Sequence, residues 1–75
     1  MPARLDAIDR KILKELQADG RITNVDLASR VGISLAAASQ HASVLRGAGL
    51  IVTRRQGGAV LHVLTPLGAE LLQAG

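Results

Sequence analysis

Between Leu5 and Leu67 glycine interrupts this sequence at four places: Asp19-Gly20, Gly32, Gly47 to Gly49, and Gly57-Gly58. The pieces between them are long enough for a few helical turns or a single strand each. The fold must therefore be assembled from small elements, and their order decides what it is. Leu5, Ile8, Ile12, Leu13 and Leu16 recur at three- and four-residue steps, which predicts a helix from about Leu5 to Ala18 with one apolar stripe. Asp6 and Asp9 stand at the end where the helix dipole favours anions, and Gly20 takes the usual C-terminal position. Thr23 caps a second helix, with Asp26 three residues on in a variant of the capping box; Val25, Leu27, Ala28 and Val31 supply its apolar face. Ser34 caps a third helix over 35–46. "LIVT" and "AVLHVL" are β-branched runs about the polar turn "RRQGG", which predicts a hairpin over about 50–64. Thr65-Pro66 opens a short last helix carrying Leu67, Leu71 and Leu72.

The order is three helices, a hairpin and a helix. This is a mainly α fold with a β-hairpin: the winged helix-turn-helix, with a three-helix core, a two-stranded wing and a short C-terminal helix, as one domain over residues 1–75. The stretch "ASRVGIS" fits the turn. Ala28 lets the next helix approach, Gly32 supplies left-handed backbone, Ile33 fills the angle, and Ser34 caps the third helix.

Seventy-five residues bury only about 60% of their unfolded surface. Without Phe, Tyr, Trp or Cys the core must be Leu, Ile, Val and Ala. The same absences exclude disulfides, thiolate metal sites, cysteine nucleophiles and an aromatic platform for single-stranded bases. No apolar run of about 18 residues exists to span a membrane, and the charged opening "MPARLDAIDRKIL" is no signal peptide. A soluble, cytoplasmic protein is expected. Charge is uneven. Residues 1–19 hold four basic and four acidic groups, whereas Arg21 to Val63 carry Arg21, Arg30, Arg46, Arg54 and Arg55 against Asp26 alone. Such a field suits a polyanion, although ordinary solubilising arginines would look the same.

On the third helix, Leu35, Ala38, Ala42 and Leu45 share one side, with His41 and Val44 near its edge. Ala36, Ala37, Ser39, Gln40 and Ser43 share the other, which is small, polar and uncharged. A helix in a DNA major groove needs short side chains for close approach and hydroxyls or amides for base edges and phosphates. Gln40 suits adenine, Ser39 and Ser43 suit bases or phosphates, and Ala36 or Ala37 suits a thymine methyl. The competing reading is tight packing on a partner helix. The candidate DNA residues are Ala37, Ser39, Gln40, His41 and Ser43, the cap hydroxyls of Thr23 and Ser34, and Arg54 and Arg55 at the wing tip, over backbone or minor groove. Those arginines would equally blunt an exposed sheet edge. His41 and His62 have no third nitrogen, thiol or clustered carboxylate beside them in sequence, so no metal site is expected. His41 is read as half-buried or at the helix–DNA boundary, and His62 as facing solvent. No nucleophile elbow, phosphate loop or paired acids appear, so neither catalysis nor a cofactor is expected.

Residues 5–34, with "LDAIDRKIL", "DGRITNVDLA" and "VGIS", resemble the DNA-binding domain of the leucine-responsive (Lrp/AsnC) regulators. Residues 35–72, with "SQHASVLRGAGL", "RRQGG" and "LTPLG", resemble the arsenical-repressor (ArsR) winged helix. Both resemblances imply a transcription regulator that binds double-stranded DNA as a homodimer, with Ser39, Gln40, His41 and Ser43 in the recognition helix and Arg54 and Arg55 in the wing. Three departures matter. The metal-thiolate motif is absent, the ligand-binding and oligomerising domain of the leucine-responsive regulators is not expected, and His62 stands where the arsenical-repressor pattern often has an aromatic. No small-molecule effector is evident. The change of resemblance near Ser34 leaves an alternative: a chimeric or designed winged helix that folds and self-associates without a DNA target.

Overall fold

A computed structural model describes residues 5–74. Helix α1 spans Ala7–Asp19, strand β1 Arg21–Thr23, α2 Asn24–Val31, α3 Leu35–Gly47, β2 Ile51–Gln56, β3 Ala59–Leu64 and α4 Pro66–Ala74. The winged helix-turn-helix expected from the sequence is therefore present. One element is added. β1 pairs antiparallel with β3, giving a three-stranded sheet of order β1-β3-β2. Three residues are too few to show strand alternation, and "RIT" is held by its neighbour rather than by its own propensity.

Capping sets the helix starts. The reciprocal box forms at α1, where Asp6 accepts from the Asp9 N–H and Asp9 accepts from the Asp6 N–H. At α2 and α3, Thr23 and Ser34 accept from the N–H groups of Asp26 and Ala37. Gly32 adopts φ 78° and ψ 37°, and its N–H and that of Ile33 both return to the Ala28 carbonyl. This closes α2 in one residue and turns the chain into α3. Thr65 does two jobs: its hydroxyl accepts from the Gly68 N–H and donates to the Gly49 carbonyl. It thereby starts α4 and ties it to the loop after α3.

The core is aliphatic, as required. Ile12, Leu13, Leu16, Leu27, Leu45 and Ile51 are fully buried, with Leu5, Ile8, Ile33, Leu64, Leu71 and Leu72 packed around them. Each fully buried aliphatic contributes about 1.5–3 kcal/mol. Three sequence assignments fail. Val25 is 64% exposed and Leu35 52% exposed, because each lies in the first turn of its helix, beyond the edge of the core. His62 is only 2% exposed rather than facing solvent.

Candidate nucleic-acid interface

α3 is seated by its shortest side chains. Ala38 and Ala42 are buried with Leu45, so half of the helix's alanines serve close packing. The opposite side exposes Ala36, Ser39, Gln40, Ser43 and Val44, and Ala37 is half-buried at its margin. The uncharged polar face expected from the sequence is thus open. Ser34 is exposed and Thr23 half-buried; each hydroxyl accepts its cap bond and keeps its hydrogen for an outside acceptor.

His41 points elsewhere. Its Nδ1 donates to Asp9 Oδ1 at 2.8 Å, tying α3 to α1. Asp6, Asp9 and His41 bring one ligand-type atom each to within 4.8 Å of one another. Sequence spacing gave no hint of this convergence, since 32 residues separate Asp9 from His41. The capping box and the histidine bond use those carboxylates structurally.

Arg54 and Arg55 lie within β2, paired with Leu61 and Val60, while Gly57 and Gly58 form the turn with φ 55° and 83°. The expected place at the wing tip is corrected. Adjacent strand residues point to opposite faces. Arg55 shares its face with Ile51 and Thr53, the side that meets α3, and Arg54 shares the other with Val52. Both are exposed. Arg30, one of the five arginines of the basic stretch, is bound by Glu15 and Asp19 of α1. The hydrogen bond to Asp19 chiefly raises its pKa. The unneutralised field reduces to Arg21, Arg46, Arg54 and Arg55.

A polar chain crosses the interior behind this face. Arg46 Nη1 donates to Thr53 Oγ1 at 3.0 Å, and Thr53 Oγ1 lies 3.0 Å from His62 Nδ1. His62 Nε2 lies 2.9 Å from Asn24 Oδ1, and Asn24 Nδ2 donates to Ser39 Oγ at 3.0 Å. Burial, and then the charge of Arg46, push the His62 imidazole below its usual range. Nothing in the sequence marks Asn24 and Thr53 as members. The chain joins four elements, and no local spacing announces it.

A family model described as winged helix-turn-helix DNA-binding matches residues 5–52. The chain belongs to that family. The match runs through Ser34 without a break. The leucine-responsive regulatory protein of Rhizobium meliloti is 62% identical over 47 residues, which are 63% of this chain and 30% of that protein. The Escherichia coli protein of the same name is 70% identical over 30 residues, 40% of this chain and 18% of that one. The chain thus spans less than a third of the curated relatives it matches. Among solved structures, Bordetella bronchiseptica BpsR is 26% identical with a TM-score of 0.87, over 93% of this chain and 52% of that one; its DNA binding is regulated by 6-hydroxynicotinic acid. A structure described as a possible transcriptional regulator for arsenical resistance is 33% identical with a TM-score of 0.80, over 92% of this chain and 71% of that one. The family model ends at residue 52 and does not extend to β3 and α4.

Proposed function

We propose that this winged helix is the DNA-reading part of a transcription regulator, with α3 in the major groove and the β2–β3 hairpin over the adjacent backbone or minor groove. One observation carries the reading. α3 exposes Ser39, Gln40 and Ser43 on an uncharged face, Arg46 and Arg55 flank it, and no acidic residue occurs from Leu27 to Ala69. Gln40, Ser43 and Ser39 read base edges or phosphates. Arg55, with Arg21 and Arg54 further out, neutralises phosphates, and the hydroxyls of Thr23 and Ser34 lie at helix N-termini suited to a phosphate. The domain binds rather than catalyses, and acts in the cytoplasm. Among the described residues no helix is long and apolar enough to cross a membrane.

The domain works as a homodimer. A shallow apolar groove lined by Leu5, Val44, Leu67 and Leu71 is flanked by Arg10 and Glu70. Opposite charges beside one apolar patch suit the self-complementary contact of a two-fold pair. Solution mass that halves in Leu67→Glu supports this; a parent already monomeric at high concentration refutes it. The DNA reading is tested by enriching duplexes from a randomised pool and measuring affinities. Gln40→Ala lowers preference among sequences, whereas Arg55→Ala weakens binding to all of them alike. Equal loss on every sequence for Gln40→Ala contradicts the role given to that side chain.

A further inference from the structure

The interior hydrogen-bond chain has a fixed direction. Arg46 has no acceptor, so Thr53 Oγ1 accepts from it. At the other end Asn24 Oδ1 can only accept, so a neutral His62 carries its proton on Nε2 and donates it there. Its Nδ1 is then the acceptor and takes the Thr53 hydrogen. The Asn24 amide nitrogen is left to donate to Ser39 Oγ. Ser39, already accepting, keeps its own hydroxyl hydrogen to donate, on the exposed face of α3. The chain starts at one exposed residue of α3 and ends at another, having crossed the hairpin and the start of α2 between them.

We infer that Asn24 and His62 are positioning residues for DNA binding: through Asn24 Nδ2 they aim the Ser39 hydroxyl hydrogen at the DNA, and through Thr53 they hold the Arg46 guanidinium beside the wing. The inference rests on the reading of α3 as the DNA-contacting helix. Its physical content is preorganisation. A serine hydroxyl free to rotate must be fixed on binding, whereas one whose lone pair is already taken presents a donor to a phosphate oxygen or a base acceptor without that cost. Held by Thr53, Arg46 likewise keeps its remaining N–H groups in one orientation relative to Arg55. Burial supports the assignment, since His62 is 2% exposed and no buried side-chain polar atom among the described residues lacks a partner. A histidine needed only to fill this space would serve as well as leucine. This one bridges two hydrogen-bonding groups with both ring nitrogens.

The test is a double-substitution cycle on the whole chain, using a duplex enriched from a randomised pool by the parent. Affinities are measured at a temperature where circular dichroism shows every variant folded. Asn24→Ala and Ser39→Ala should each weaken binding about threefold to tenfold, and the double variant no further, because both remove one directed contact. His62→Gln, which has one donor and one acceptor, should keep parental affinity, and His62→Leu should lose it. Additive losses from Asn24→Ala and Ser39→Ala, or an Asn24→Ala variant that melts earlier yet binds like the parent, would overturn the inference while leaving the DNA reading intact. Failure to enrich any duplex, or parental binding by Ser39→Ala, Gln40→Ala and Ser43→Ala together, would overturn both. The Asn24–Ser39 cycle decides the matter even if His62→Leu does not fold.

Discussion

His62 shows most clearly what one residue adds beyond its sequence. In "AVLHVL" the alternate residues are Val60, His62 and Leu64 on one face and Ala59, Leu61 and Val63 on the other. Both faces are mostly apolar, so alternation cannot say which is buried, and polarity alone favours the wrong one. Helix packing decides. His62 shares its face with its cross-strand neighbours Ile22 and Thr53, and this is the face against which the helices pack, with Asn24 of α2 bonded to His62 and Arg46 of α3 to Thr53. Because its folded pKa lies below the ordinary value, the unfolded chain takes up the proton first. The stability this group contributes is present above about pH 6.5 and is lost as the pH falls through that value toward the lowered folded pKa. The thermal midpoint should therefore drop between about pH 7 and pH 5.5, and His62→Gln should flatten that drop. An equally steep drop in the variant would assign the effect to other groups.

At the level of elements, the helices were legible because each carries its own start signal and apolar stripe. The first-turn residues were not. Val25 and Leu35 fit their stripes by periodicity, but a helix that begins at the edge of the domain has no core beneath its first turn. Gly32 and Gly68 carry different constraints. At Gly32 the left-handed backbone favours glycine, so Gly32→Ala should cost about 1–2 kcal/mol although nothing crowds the site. At Gly68 the backbone is ordinary, but an added Cβ would run into the Leu50 carbonyl oxygen and lie 2.7 Å from Leu64 Cδ1. The obstacle is partly backbone, so Gly68→Ala should cost about 1–3 kcal/mol by overpacking. α4 would be pushed off the loop that Thr65 ties down. Denaturant melts of both variants check these values; a neutral Gly68→Ala would show that α4 shifts without cost.

For the molecule as a whole, the candidate site was half legible. The small polar face of α3 and the excess of arginine could be read directly. That Arg30 is neutralised by α1, that Arg54 and Arg55 diverge, and that His41 is turned toward Asp9 are facts of tertiary structure. The described domain measures 33 × 22 × 22 Å. Its long axis is about the length of one turn of B-DNA. The most direct measurement is fluorescence anisotropy of labelled duplex DNA titrated with the chain at several salt concentrations, for the parent and Arg55→Ala. Phosphate tracking by an arginine-flanked helix requires affinity to fall steeply as salt rises, with a slope lower by about one in the variant. A folded chain that does not bind at low salt, or whose binding is indifferent to salt, would mean that the alanines and serines of α3 serve packing and that DNA is not its partner.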